Sequence, residues 1–474
     1  MDKKPIYITT TLPYVNAKPH IGFALEVVQA DAYARFCRYQ GAEVTFSYGT
    51  DEYGLKIYRK AQEAGLEPQV YVDRLAESFR TLKSLLNLSS DRFIQTTNPH
   101  HKQAATEMWR RCLANGDIYK AEYKVLYCVG CELEKSLSEL DNGECPIHPG
   151  QAIEEIAEEN YFFRFSKYAS KLLELYQSRP DFVVPAWRLK EIENFVEQGL
   201  SDFSISRLKS KMPWGVPVPD DPDHVMYVWF DALVNYLSTL GWPEPNSDYE
   251  RFWPPLQFAG KDNLRQQAAM WQAMLLSAGL PLSRQIIIHG FYTAGGQKMS
   301  KSLGNVVSPE EVVAQYGTDA VRYFFLRETH PFEDSDFTME RFQETYTANL
   351  VNGLGNLTSR ILKMAITHLD FAPIFPEVIW PDEYLEYYNN YDFNKAADWV
   401  WNKITELDKK IQIQKPFQLI KEDQEAGRIA IAELEVGLWE IANYLEPLLP
   451  ATASEIKKLL TDHRFPDKPL FPRI

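Results

Sequence analysis

The N-terminal corner limits the fold most. A short β-prone run, Ile6-Tyr7-Ile8 and then Thr9, Thr10 and Thr11, enters a turn holding Pro13, Asn16 and Pro19. A helical run follows from about His20 to Tyr39, and Gly41 stops it. Strand, tight turn and helix make the phosphate-binding corner of a nucleotide fold, where backbone N–H groups and the positive helix end face an anion. The corner holds no G-x-G-x-x-G, and no G-x-x-x-x-G-K-[ST] occurs anywhere in the chain, which argues against a standard P-loop. His20 and Gly22 open the helix instead, a choice suited to phosphates that react while bound.

The strand–helix alternation continues. Val44 to Tyr48 reads as a second buried strand running into Gly49-Thr50-Asp51-Glu52-Tyr53-Gly54, a polar loop at a strand's C-terminal end, where open α/β sheets place ligands. Asp51 is a candidate for a ligand's ammonium or hydroxyl, against the plainer role of capping the next helix. Leu256 to Ala259 enters Gly260-Lys261-Asp262, a helix runs to about Gly279, and Ile286-Ile287-Ile288 forms a strand ending at His289-Gly290. These are two α/β halves of one parallel sheet.

An insertion separates them. Cys128, Cys131, Cys145 and His148 spell C-x2-C-x13-C-x2-H, a donor set and spacing that suit a closed, structural tetrahedral Zn²⁺ site. Five cysteines, three of them in this window, fit metal binding rather than disulfides and point to a reducing compartment. Cys37 and Cys112 fall in helical apolar patterns and read as core residues. The run Phe203 to Lys211 is basic in an acidic chain of net charge −15, and reads equally as a solvated edge or a phosphate or RNA contact. In Tyr227-Val228-Trp229-Phe230-Asp231-Ala232-Leu233-Val234-Asn235-Tyr236, the residues Trp229, Ala232 and Tyr236 recur at helical spacing, as core aromatics usually do.

Gly295-Gly296-Gln297-Lys298-Met299-Ser300-Lys301-Ser302 sets mobile ammonium groups on flexible backbone, able to close over a polyphosphate. From about Pro309 no further strand is expected. Amphipathic helical runs follow, at Pro309–Tyr316, Asp319–Arg327, Met339–Ile366, Asn394–Ile413, Gln418 through Glu446, and Ala451–Leu460, punctuated by prolines. No apolar run approaches the ~18 residues of a membrane span, and no signal sequence is read at Met1-Asp2-Lys3-Lys4-Pro5.

From about Pro5 to Pro450 these pieces resemble, in order, the methionyl branch of the class I aminoacyl-tRNA synthetases. Pro19-His20-Ile21-Gly22 looks like the first signature of the class and Lys298-Met299-Ser300-Lys301-Ser302 matches the second letter for letter. Leu12 to Pro19, the cysteine knuckle, Glu159 to Arg164, Tyr227 to Ala232 and Gly260-Lys261-Asp262 strengthen the resemblance. It implies a Rossmann-type α/β catalytic domain split by a zinc-bearing insertion, followed by an all-α helical bundle. The expected divisions are 1–114 (first catalytic half), 115–225 (insertion), 226–305 (second half with the signature loop), 306–340 (stem-contact connector) and 341–474 (anticodon-binding helices). The implied reaction activates methionine with ATP to the adenylate and transfers it to initiator and elongator tRNA, with Mg²⁺ accompanying ATP and Zn²⁺ structural.

Residue by residue, the resemblance implies that His20, Lys298 and Lys301 act on the phosphates and that Gly22, Gly260 and Asp262 help hold ATP. It places Leu12, Tyr14, Asp51, Trp229, Ala232, Tyr236 and Gln267 around the amino acid, and Asn356, Arg360 and Phe417 at the anticodon. The chain departs from the family where Phe23 and Tyr53 replace histidines, where Gln266 and Gln267 replace an aromatic residue and a histidine, and where Phe417 replaces a tryptophan. Two buried amides beside a thioether pocket need partners, which a more polar substrate could supply. A paralogue that activates another amino acid and a catalytically silent RNA-binding relic therefore stay open at this level. A cytoplasmic monomer without membrane association is the expectation.

Overall fold

The structure, a computed structural model, describes residues 4–131, 133–135, 139–294, 296–298 and 307–474. The chain forms two compact units. The first comprises Met1–Lys18, Ala42–Thr81 and Ser90–Ile288; the second comprises Pro19–Gly41, Leu82–Ser89 and His289–Ile474.

A six-stranded parallel sheet runs in the order Arg92–Gln95, Val44–Thr50, Ile6–Thr10, Leu256–Gly260, Gln285–His289, Val183–Val184. Ile6 lies opposite Val44, and Ile8 opposite Leu256. Every residue of Val44–Thr50 is buried, as a central parallel strand covered on both faces requires. Chain order reverses between Ile6–Thr10 and Leu256–Gly260, so the C-terminal ends of these two strands open the crevice where such sheets bind ligands.

The insertion in the first unit is built on a long antiparallel pair, Ile118–Cys128 against Ile153–Phe163, in register from Ile118↔Phe163 to Cys128↔Ile153. Leu133–Lys135 and Phe203–Ser204 flank it. Of the basic run, Lys209 and Lys211 are exposed, but Arg207 is not part of a solvated edge. It is buried, its guanidinium 4.2 Å from the Tyr227 ring centre and donating to Ser204 Oγ at 2.8 Å. Stacking on an aromatic face holds a buried cation that composition alone assigns to water.

The second unit is mostly helical, and it also contains a strand. Ser335–Asp336 pairs in parallel with Tyr292–Thr293, correcting the expectation of none beyond Pro309; two residues carry no alternation to read. The run from Met339 is three segments, not one: Met339–Thr345, a wide π-turn stretch Tyr346–Gly355, and Asn356–His368. Asp382–Asn389, started behind Pro381, is a further helix that the sequence pattern did not single out. Ile21–Tyr39 joins this unit through a buried ion pair, Asp31 with Arg322 at 2.8 Å, and Arg322 also donates to the carbonyls of Leu86, Pro447 and Leu448. Cys37 and Cys112 are buried core residues of the second and the first unit respectively.

Candidate active site and metal centre

In the first unit, the turn after Ile6–Thr10 is laid along the end of Val44–Thr50. Tyr14 and Asp51 form a parallel bridge. The Asp51 N–H donates to the Pro13 carbonyl and the Val15 N–H to the Asp51 carbonyl, both at 3.0 Å. Leu12 and Tyr14, half-buried, are thereby fixed beside the buried Asp51. Gly260 ends the neighbouring strand, and Asp262 stands exposed in the turn Lys261–Asn263, accepting from Asn263 Nδ2 at 3.0 Å. Leu12, Tyr14, Gly260 and Asp262 follow the C-terminal ends of the two strands that flank the reversal of chain order, and Asp51 follows that of the adjacent Val44–Thr50.

Trp229, half-buried, and the buried Ala232 lie on the short helix Val228–Ala232, and Tyr236 on Asn235–Ser238. Gln266 and Gln267 start a wide π-turn, Gln266–Met270. Such turns recur at functional sites. Gln267 donates from Nε2 to Tyr236 Oη at 2.7 Å and accepts at Oε1 from Gln257 Nε2 at 3.0 Å. Gln272 donates to the Gln267 carbonyl (2.8 Å) and to Ser283 Oγ (3.0 Å), and the Ser283 hydroxyl closes the network on Gln257 Oε1. The amide at position 267 is thus satisfied by the protein itself, so it does not call for a more polar substrate. Gln266 differs: its Oε1 is buried without a hydrogen-bond partner.

Beneath this wall lies a pair that motif reading did not single out. Asp231 is fully buried and neither carboxyl oxygen has a hydrogen-bond partner. Burial raises its pKa far above the usual carboxylate range. The equally buried His101 has Nε2 4.0 Å from Asp231 and Nδ1 2.9 Å from Ser238 Oγ; burial lowers its pKa to about 3. Burial thus favours the neutral form of each. The only sequence signal was a carboxylate inside the apolar run Tyr227–Ala232.

In the second unit, His20 is the exposed N-cap of Ile21–Tyr39, and its Nδ1 accepts from the Gly22 N–H at 3.1 Å. With Nδ1 an acceptor, the neutral ring carries its proton on Nε2, as a donor. Gly22 permits this: a Cβ there would stand 3.0 Å from the folded-back ring. Phe23 is a buried core residue. Lys298 ends the hairpin strand Gln297–Lys298, while its side chain and the whole of Lys301 lie outside the described residues. Asn356 is exposed at the start of its helix, Arg360 one turn on is half-buried and paired with Asp408, and Phe417 is 46% exposed.

Cys128, Cys131, Cys145 and His148 converge in the insertion, with their ligand atoms all within 4.8 Å of one another. Cys131 Sγ lies 3.4 Å from Cys145 Sγ and 3.1 Å from His148 Nδ1. Tetrahedral Zn²⁺ with bonds of about 2.3 Å to sulfur and 2.0 Å to nitrogen sets its ligands some 3.5–3.8 Å apart, so three thiolates and an imidazole on this scale fit a metal ion. Gly130 lets the knuckle close, since a Cβ there would meet His148 Cγ at 2.5 Å.

Comparison with known proteins fits this arrangement. The family model described as tRNA synthetases class I (M) matches residues 6–152 and 132–362. The chain therefore belongs to the class I tRNA synthetases, and its relatives place it in the methionine--tRNA ligase family. The methionine--tRNA ligase of Thermosynechococcus vestitus is 49% identical over 77% of this chain and 69% of its own length; that of Nostoc sp. is 43% identical over 97% and 90%. Among solved structures, Mycobacterium tuberculosis methionyl-tRNA synthetase in complex with methionyl-adenylate superposes with a TM-score of 0.92 at 36% identity, covering 99% of this chain and all of that one.

Proposed function

We propose that the chain carries out the methionine--tRNA ligase reaction with the residues placed above. A methionine carboxylate oxygen attacks the α-phosphorus of ATP in line, a new P–O bond forms, the bond to the β-phosphate breaks, and pyrophosphate leaves. The adenylate is then transferred to the 3′ end of tRNA. The protein's work is positioning and charge neutralisation. Asp51 receives the substrate ammonium. Leu12, Tyr14, Trp229, Ala232 and Tyr236 enclose the thioether, with Gln267 orienting Tyr236. Gly260 and Asp262 hold adenosine, with Gly22 allowing the His20 cap. His20 donates from Nε2 to phosphate, and Lys298 and Lys301 neutralise the leaving pyrophosphate, ATP entering as its Mg²⁺ complex. The observation that carries this reading is the Tyr14–Asp51 bridge, next to the reversal of chain order, in a chain of this family.

Zn²⁺ held by Cys128, Cys131, Cys145 and His148 supplies a structural crosslink. Cys128→Ser is expected to lower zinc to well below one per chain; unchanged stoichiometry refutes the site. Asn356, Arg360 and Phe417 read the anticodon of initiator and elongator methionine tRNA by polar edges and stacking. Among the described residues no helix is long and apolar enough to cross a membrane; we read the chain as a cytoplasmic monomer.

The test is ATP–pyrophosphate exchange across all amino acids, with Lys301→Ala as control. Methionine-dependent exchange, reduced about a thousandfold in Lys301→Ala, is the expected outcome. Exchange with a different amino acid, and none with methionine, overturns it.

A further inference from the structure

The hairpin Tyr292–Ala294/Gln297–Lys298 ends on Lys298 and is short, one three-residue strand against one of two. Its shape is set from outside. Thr293 lies opposite Lys298 in the hairpin and is paired on its other side with Asp336. The Asp336 carboxylate sits at this junction. One oxygen, Oδ1, accepts from the Thr293 hydroxyl at 2.6 Å and from the backbone N–H of Gly296 at 2.9 Å. Gly296 has φ +75°, a left-handed conformation that the turn needs and glycine allows.

The base of the hairpin is held in the same way. The Phe291 N–H donates to Asp334 Oδ1 at 2.9 Å, the Ser335 N–H to the Phe291 carbonyl, and the Phe337 N–H to the Thr293 carbonyl, both at 2.9 Å. Gly290 packs so closely on this segment that a Cβ would lie 2.2 Å from the Glu333 backbone. Base and turn of the hairpin thus hang on one stretch, Glu333–Phe337. In the turn, nearest Lys298, Asp336 Oδ1 accepts from both Thr293 and Gly296.

We propose that Asp336 is a positioning residue for the reaction: by holding Thr293 and Gly296 it fixes the path on which the chain presents Lys298 and enters the second signature. The inference rests on the proposed roles of Lys298 and Lys301. A displacement of about 1 Å in a reacting group can cost on the order of a hundredfold in rate.

The experiment measures ATP–pyrophosphate exchange in the full chain for Asp336→Ala, Asp336→Asn, Thr293→Val and Lys301→Ala, with thermal unfolding of each. Asp336→Ala is expected to lower kcat about tenfold or more, with the KM for methionine within about twofold of the parent. Asp336→Asn, which keeps an acceptor oxygen, should recover kcat to within about threefold. Thr293→Val leaves the carboxylate in place and should lose several-fold, which keeps the test decisive should Asp336→Ala fail to fold. Full kcat in Asp336→Ala alongside an inactive Lys301→Ala overturns the positioning role while the functional reading stands. Equal impairment of Asp336→Asn and Asp336→Ala also overturns it, since charge rather than the acceptor would then matter. Retained exchange in Lys301→Ala sinks the underlying reading instead.

Discussion

Asp31 in the second unit and Asp231 in the first are both completely buried, and the two are handled in opposite ways. In the second unit Asp31 meets Arg322 and Arg35, each at 2.8 Å, and accepts from the Ser89 backbone and hydroxyl. Burial pushes its pKa up, but Arg322, Arg35 and Ser89 together outweigh burial and hold it below the usual value. In the first unit Asp231 has no cation, and burial prevails. A buried carboxylate keeps its charge where a cation and hydrogen-bond donors reach it, as Arg322, Arg35 and Ser89 do at Asp31 and Lys167, Tyr168, Ser277 and Asn115 do at Asp117; where burial prevails it is driven towards its protonated form. The pH consequences also differ. The contribution of Asp31 is present above the ordinary carboxylate pKa and is lost as pH falls through its lowered folded value. That of Asp231 is complete below the ordinary value and declines as pH rises towards its raised folded value. His101 opposes Asp231 at the acid end, losing stability as pH falls from about 6.5 to about 3.

The largest effect should come from breaking the charged pair. Arg322→Met removes the fully buried partner and leaves Asp31 with the partly exposed Arg35, and should cost the second unit about 3–5 kcal/mol in denaturant titrations followed by helical circular dichroism. Adding Asp31→Asn should return part of that loss. A cost below about 1 kcal/mol for Arg322→Met would break the contrast between the units.

Glu435 sharpens the contrast, because it puts the uncompensated solution inside the second unit. It is 0% exposed on the helix Gln424–Tyr444, both carboxyl oxygens are without hydrogen-bond partners, and burial pushes its pKa up to about 7. A raised folded value means stability is full below the ordinary carboxylate pKa and falls as pH climbs through 7. Glu435→Gln should remove that slope, gaining on the order of 2 kcal/mol at pH 8 relative to pH 5 in urea titrations at the two pH values. Equal slopes for parent and variant would mean that the carboxyl finds a partner.

These buried groups mark the limit of what the sequence discloses. The central strands and the corner at His20 were legible because period, turn residues and signature spacing are local. The Cys3His cluster was legible because four scarce donors fall at knuckle spacing. The edge strand Val183–Val184 and the strand Ser335–Asp336 were not, since two residues have no period. Nor does any local pattern announce that Ile21–Tyr39 belongs with residues beyond His289. That affiliation rests on pairs far apart in sequence, Asp31 with Arg322 and Glu26 with His289 at 2.8 Å. The Gln257–Gln267–Tyr236–Ser283 network escaped for the same reason, and its absence made Gln267 look anomalous.

That network gives the next smaller effect, on function. Gln267→Leu strips the Tyr236 hydroxyl and the Gln257 amide of one partner each, at about 1–3 kcal/mol for a buried group. Methionine kcat/KM in pyrophosphate exchange should fall about tenfold, while the KM for ATP holds within about twofold. An equal rise in both KM values would place the damage in the fold rather than in the pocket.

The smallest effect is expected at Asp231, and its smallness is the point. Asn has nearly the shape of a protonated Asp, so Asp231→Asn should change the first unit's stability at pH 5 by less than about 1 kcal/mol. The gap should widen in favour of the variant as pH rises, because only the parent comes to bear a buried charge. Denaturant titrations at pH 5 and pH 8 read this directly. The His101 ring resonances should stay those of a neutral imidazole across the range in both proteins. A variant clearly less stable than the parent at pH 8 would mean that Asp231 is ionised and paired with His101⁺ across their 4.0 Å separation. The two aspartates would then be handled alike, each with its own cation.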